Sequence, residues 1–431
     1  MAQYIVQGGT PLKGHVTISG NKNSCLKLMA ASLLAKGTTT LTNVPHIVDV
    51  AIMAQILESL GCKVTGIGTS TISIDTSGLK FHRVDPELAT KVRASIVLLA
   101  PILVRFGKVE LGFPGGDTIG KRGVGTHFDV LTALGAKFTN TPLVIKGHLV
   151  GQPQKNIFLD EASVTATENA LIFAASLPHA TTIENAACEP HIVDLGQFLT
   201  KLGAKIHGLG SNTITITGSK KLTSVTHAVG PDYIDAGTFA IAAAATGGSV
   251  TISPLKQSDM RMILLYLSRF GVKYRWTKPD TLAILPSKLE FAHEGHGIKH
   301  HFQTRPWPGF PTDLMSPLIT LATQTKGTVL LHDWMYETRM YFTDRLILMG
   351  ANITLCDPHR IIVSGPTPLY GRHLPSPDIR AGMSLLIAAL AARGQSEIDH
   401  VEIIERGYEN PVGRFSSLSA KITRVTTRHE I

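Results

Sequence analysis

At 431 residues the chain is too long for one ordinary hydrophobic core and fits two domains of about 200 residues each. With 43% hydrophobic and 17% charged residues it has the make-up of a well-packed globular protein, which excludes a disordered or fibrous chain. The formal charge of +9 calls for anionic partners. Its basic residues are dispersed, however, with no Lys/Arg run and no basic strand studded with base-stacking aromatics, so a small anionic ligand is expected and nucleic acid is not.

The N-terminal stretch MAQYIVQGGTPLKGHVTIS has neither a basic nor an apolar leader region, and no uncharged apolar run reaches the ~18 residues of a membrane span. Cys25, Cys62, Cys188 and Cys356 form no CxxC pair, so neither a zinc site nor a disulfide framework is indicated. A soluble, cytoplasmic protein without a membrane partner is expected. Residues 3–19 alternate like two short strands around Gly8-Gly9. They precede the first full structural copy, and are expected to complete the second half of the chain, making the domains discontinuous: 22–229, and 1–21 with 230–431.

Lys22-Asn23 opens an apolar helix over residues 24–35. The stretch that follows, residues 37–74, returns at 180–216: NVPHIVDV is matched by CEPHIVDL. The pattern can be followed to the C-terminus as an apolar helix, a Gly, a strand, a loop, an amphipathic helix, and Gly-Ala-Lys or similar before two strands. Six copies appear. The turns after the first helix fall at Gly37, Gly107, Ala180, Gly248, Gly327 and Gly394, and those closing the second at Gly61, Gly135, Gly203, Gly271, Gly350 and Ser419. The period of roughly 70 residues is too long for a solenoid unit and long enough for a compact α/β layer. Three copies per domain follow.

Where each first helix begins stand Lys22, Arg93, Thr165, Ile234, Asp313 and Arg380, four of them charged. Free N–H groups at helix starts, aimed at one cleft and joined by Lys and Arg, would make an anion site. In the second copy, the loop FPGGDTIGKRGVGTH (113–127) combines five glycines with Asp117, Lys121, Arg122 and His127. Such a loop suits a lid that closes on a phosphate and carries an acid. It is not a P-loop, because the order strand, GxxxxGK[ST], helix is missing. The third copy begins Ala162-Ser163-Val164-Thr165, with hydroxyls able to cap the helix or bond a ligand, and the crossing between domains is expected near residues 227–233. Within the insertion 286–311, His293, His296, His300 and His301 match no standard metal spacing, and a solvated loop is expected. The fifth and sixth copies place Asp313, Arg339, Arg380 and Arg406 at recurring addresses.

The set SGNKN (19–23), KVRAS (91–95), PGGDTIG (114–120) with Arg122, ENAACEPHIVD (184–194), PDYIDAGTF (231–239), PGFPTD (308–313), YETR (336–339), DIRAGMS (378–384) and ERGYE (405–409) closely resembles the UDP-N-acetylglucosamine enolpyruvyl transferase family over residues 3–425. The resemblance implies a two-domain inside-out α/β barrel of six βαβαββ repeats, three per domain. It implies transfer of enolpyruvate from phosphoenolpyruvate to the 3-hydroxyl of UDP-N-acetylglucosamine with release of phosphate, in peptidoglycan synthesis, with no metal or organic cofactor.

By the same resemblance, Lys22 and Arg122 would hold the phosphate of phosphoenolpyruvate, with Arg93 close by. Arg339, Arg380 and Arg406 would grip its carboxylate and the developing phosphate charge. Asp313 would act as general base and Asn23 would bond the sugar. Ser163, Val164 and Thr165 would contact the nucleotide, and Met335 belongs to the same substrate-binding set. The family's loop cysteine is here Asp117, implying an acid in its place and insensitivity to fosfomycin, which alkylates the thiol. The family's Arg-Pro-Val-Asp-Leu-His becomes Arg122-Gly123-Val124-Gly125-Thr126-His127, and the usual Asn before Arg339 is Thr338. Both departures bear on the acceptor. Alternatives are the sister transfer to shikimate 3-phosphate, which Asn23, PGGDTIG and EPHIVD fit less well, and transfer to another nucleotide sugar. A catalytically silent repeat protein that binds nucleic acid would differ from all three by a steep loss of affinity with salt.

Overall fold

Each repeat is built around its opening helix, most of whose residues are buried. All thirteen residues of Tyr233–Ala245, rich in alanine, are buried, as is nearly all of Ile379–Ala391. The computed structural model describes residues 2–116, 119–120, 123–291 and 300–426.

Among the described residues, six four-stranded sheets share one plan. In the second repeat the order across the sheet is Arg83–Val84, Lys108–Gly112, Val144–Leu149, Ala136–Asn140, the first pair parallel and the others antiparallel. Burial alternates along the strands: in Thr38–Thr42, Thr39 and Leu41 point inward, as the two-residue period of a one-sided sheet requires.

Three repeats borrow a strand. Thr226–Ala228 runs parallel to Thr38–Thr42 and supplies the first strand of repeat 1 from the end of repeat 3. Lys13–Thr17 does the same for repeat 4, beside Ser249–Ser253. Ala2–Gln7 fills the third place in repeat 6, between Gln395–Asp399 and Lys421–Thr426.

The chain divides into two compact units, Ser19–Asp117 with Arg122–Gly230, and Met1–Ile18 with Thr118–Lys121 and Pro231–Ile431. Each has its own apolar core.

Three local findings differ from the pattern in the sequence. The helix expected over residues 24–35 is α-helical only over Lys22–Ala31 and ends in a 3-10 turn, Ser32–Leu34. Leu99–Phe106 is likewise shorter than its apolar run, being preceded by the 3-10 segment Arg93–Leu98. Pro101 explains this: it has no N–H for the carbonyl four residues back, so it is accepted only within the first turn and the chain enters by the tighter winding. Pro317 stands at the same place in Met315–Thr323, which is entered through the 3-10 turn Thr312–Leu314. Residues 300–303 are not loop but the strand His300–Gln303, parallel to Gly327–His332; His293 and His296 lie outside the described residues.

Candidate active site

All six repeat-start positions fall on the first or second residue of a helical segment. In the unit that includes Arg122–Gly230, Asn21 caps the first helix by accepting from Ser24 N at 2.8 Å, which leaves Lys22 in its first turn. A cation there opposes the helix dipole. It is answered by Asp49, whose Oδ2 lies 2.7 Å from Lys22 Nζ and which is 2% exposed. The matching aspartate of repeat 3, Asp194, accepts from the Ser24 hydroxyl, from Gly230 N at 3.1 Å, and pairs with His227 Nε2 at 2.8 Å. Burial works against its charge, but the bonds from His227, Ser24 and Gly230 hold its carboxyl below the usual range. The recurrence of PHIVD in repeats 1 and 3 was the signal for this pair of anchors, although the motif alone does not say what each aspartate holds.

Asn23 is fixed from behind. Lys27 Nζ donates to Asn23 O at 3.1 Å and lies 3.4 Å from Glu168 Oε1, with both side chains almost wholly buried. That separation makes an ion pair, and among the described residues no other donor reaches the Glu168 oxygens. Burial therefore pushes the Glu168 carboxyl up to about 7 despite the attraction of Lys27, with Glu189 adding to the rise. Because the folded value is the higher one, the stability tied to this group is present at low pH and is lost as pH rises through 7. Glu168→Gln, which strands a buried ammonium, should cost about 3 kcal/mol at pH 8, whereas Lys27→Met with Glu168→Leu should be neutral or stabilising. Denaturant midpoints of the three proteins decide this; equal midpoints for Glu168→Gln and the unaltered chain would show that the pair is not coupled.

Arg93 does not stand free. Its guanidinium donates to Pro114 O at 3.2 Å and Gly123 O at 2.9 Å, tying together the two described ends of the glycine loop. Gly115 serves close packing there: a Cβ would sit 1.8 Å from Thr90 O. Asp117, Lys121 and Arg122 lie outside the described residues. His127 is buried on the helix Gly125–Ala133, hydrogen-bonded to Thr165 Oγ1 at 3.0 Å and Asn169 Nδ2 at 2.9 Å. Burial, with the charge of Arg93 adding to it, pushes the imidazole down to about 3, so it is neutral at working pH. Ser163 occupies the N-cap of Val164–Ala174 without a side-chain capping bond.

In the unit that includes Pro231–Ile431, Asp313 is gripped by two arginines. Arg380 Nη2 lies 2.8 Å from Oδ2 and Arg339 Nη2 lies 3.5 Å from Oδ1. Asp378 caps the helix carrying Arg380, accepting from Arg380 N and Ala381 N. Burial disfavours the Arg380 charge, but Asp313 above all, with Tyr408 and Asp232, holds it firmly protonated; its guanidinium lies 5.1 Å over the Tyr408 ring. Arg339 is 2% exposed, stacks 5.1 Å over Tyr336 and lies 3.7 Å from Asp333. Asp333, fully buried, also accepts from the hydroxyls of Thr304 and Thr312 and from Met335 N. It thus sets Arg339, Met335 and the turn bearing Asp313 from one point, a role carried by no motif. Arg406 caps the C-terminus of Val401–Glu405.

Two guanidinium groups converging on one carboxylate form a fork for planar anions, and the lysine and arginine addresses of the other unit are cationic at helix starts. Among the described residues, no group of three or more His, Cys, Asp or Glu side chains is placed to hold a metal, and no helix is long and apolar enough to cross a membrane.

Residues 6–414 match the family described as EPSP synthase (3-phosphoshikimate 1-carboxyvinyltransferase). The chain belongs to this enolpyruvyl transferase family. Among its curated relatives, the UDP-N-acetylglucosamine 1-carboxyvinyltransferase of Treponema denticola is 46% identical over 98% of this chain and 99% of its own. That of Borrelia garinii subsp. bavariensis is 44% identical over 99% and 100%. The fold is likewise that of enolpyruvyl transferases. The crystal structure of NikO from Streptomyces tendae superimposes with a TM-score of 0.87 at 23% identity over 99% of both chains. EPSP synthase from Acinetobacter baumannii does so with 0.70 at 19%, over 99% of this chain and 100% of its own.

Proposed function

We infer that this enolpyruvyl transferase moves the 1-carboxyvinyl group of phosphoenolpyruvate to the 3-hydroxyl of UDP-N-acetylglucosamine, releasing phosphate, in the committed step toward peptidoglycan. The observation that carries the acceptor is the end-to-end match, at 46% and 44% identity, to relatives named for that reaction.

In this reading, Asp313 takes the proton of the sugar hydroxyl while its oxygen adds to the enol carbon, and Asp117 delivers a proton to the methylene end. The tetrahedral ketal then loses a proton from its new methyl group to the loop carboxylate left by that donation and expels phosphate, leaving the enol ether. Arg339, Arg380 and Arg406 hold the carboxylate and the developing phosphate charge, and Lys22 and Arg122 hold the phosphate with Arg93 close by. A substrate carboxylate that takes over the Arg380 fork withdraws it from Asp313, which raises the basicity of Asp313 when it is needed. Asn23 bonds the sugar; Ser163, Val164 and Thr165 contact the nucleotide; Met335 lines the substrate.

The test is phosphate release from phosphoenolpyruvate with UDP-N-acetylglucosamine and, separately, with shikimate 3-phosphate. Turnover is expected with the first alone. Release only with shikimate 3-phosphate, or with neither by a folded preparation, overturns the assignment.

A further inference from the structure

His127, Asn169 and Thr165 form a chain of hydrogen bonds whose direction can be worked out from its buried end. Asn169 is fully buried on the helix Val164–Ala174, and its amide cannot be turned round. Its Oδ1 accepts from Ala100 N at 3.1 Å, and its Nδ2 donates to Ile96 O at 3.1 Å. The same Nδ2 faces His127 Nδ1 at 2.9 Å, so that ring nitrogen must accept. A neutral imidazole that accepts at Nδ1 carries its proton on Nε2. Nε2 lies 3.0 Å from Thr165 Oγ1, so Thr165 is the acceptor in this bond.

The hydroxyl proton of Thr165 is thereby left to be given elsewhere. A threonine in a helix ordinarily turns it back to a carbonyl one turn earlier, as Thr167 does to Ser163 O at 2.8 Å. Among the described residues, Thr165 makes no such bond. It is the second residue of its helix, partly exposed, next to the uncapped Ser163. A neutral ring buried behind it supplies no charge and no alternative acceptor.

We propose that His127 is a positioning residue: locked by Asn169 in the Nε2–H form, it turns the Thr165 hydroxyl into an outward donor for a phosphate oxygen of the nucleotide. This rests on the reading that residues 163–165 contact the nucleotide of the acceptor substrate. It gives a role to the histidine in a stretch where three of the six positions of the family's motif have changed, and it makes Thr165 a specificity element rather than a helix-start residue alone.

The expected result is that Thr165→Val raises KM for UDP-N-acetylglucosamine by roughly 10- to 100-fold, the worth of one hydrogen bond to a charged oxygen. The kcat and the KM for phosphoenolpyruvate should stay near their original values, and Thr165→Ser should behave like the unaltered enzyme. His127→Gln should raise the same KM, and in combination with Thr165→Val should add little, because both act through one bond. In 15N-histidine spectra of the unaltered protein, His127 should show a bare Nδ1 and a protonated Nε2, a readout independent of how well any variant folds. The opposite tautomer, or turnover with a KM for the UDP-sugar that Thr165→Val moves less than twofold, overturns the relay. Absence of turnover with the UDP-sugar in the unaltered enzyme overturns the activity and this ligand together, whatever the tautomer.

Discussion

Replacing Asp313 with asparagine is expected to lower kcat by about 10²- to 10⁴-fold while leaving KM for phosphoenolpyruvate nearly unchanged. Asparagine has the same shape, and its one amide oxygen can still accept from Arg380, the nearer of the two arginines that approach the carboxylate oxygens at 2.8 and 3.5 Å, while its NH2 group, a donor, faces Arg339. The Arg380 arm of the clamp should therefore survive, and the turn Thr312–Leu314 is held independently, because Thr312 ties it to buried Asp333. What an amide cannot do is take up the proton of the sugar hydroxyl. The loss should accordingly fall on the chemical step and not on binding, a split that steady-state kinetics measures directly. A kcat reduced less than tenfold would mean that another group is the base, and that Asp313 serves only to hold the two arginines apart.

Asp117→Asn is expected to be equally damaging, with turnover down about 10²- to 10⁴-fold, and Asp117→Cys to keep part of the activity. A carboxyl and a thiol can each hold a proton near neutrality when their surroundings are dry, and can surrender it to a carbon centre; an amide can do neither. The cysteine variant should also acquire what the unaltered chain is expected to lack, time-dependent inactivation by the thiol-alkylating antibiotic fosfomycin. Full turnover in Asp117→Asn would exclude proton transfer at this position. A cysteine variant that is active yet untouched by fosfomycin would show that the loop presents residue 117 differently from the loop cysteine of the family.

The repeat was legible because its markers are residues whose backbone duty admits few substitutes, such as the glycines at positive φ that close each second helix. Five of the six are glycine, and Ser419 adopts φ 71° in the sixth. Helix starts were legible for a related reason, since Lys22, Arg93, Thr165, Ile234, Asp313 and Arg380 stand 14 or 15 residues before the turn that follows each first helix. What could not be read were partners distant in sequence. Lys22 was recognised as a cation in the wrong half of a helix, but nothing local pointed to Asp49 as the group that answers it. Arg93 looked like a ligand for anions, yet its guanidinium also braces the carbonyls of Pro114 and Gly123. The glycines of the loop suggested mobility, whereas Gly115 is needed because the backbone of Thr90 is too near for any side chain. Pro101 and Pro317 sat inside apolar runs long enough to pass for continuous helices, and only the entry winding records their missing donors. His127 was one charge among several in a loop until burial and Asn169 gave it a single protonation form.

The strands lent by the N-terminal segment impose an order on synthesis. Ala2–Gln7 is synthesised long before its neighbours Gln395–Asp399 and Lys421–Thr426, with a delay on the order of tens of seconds at ordinary elongation rates. Until then its unpaired edge is open to other nascent chains. A permuted gene that begins near Pro231, so that residues 2–17 follow residue 431 and precede residues 18–230, should shorten that exposure and give a higher soluble yield.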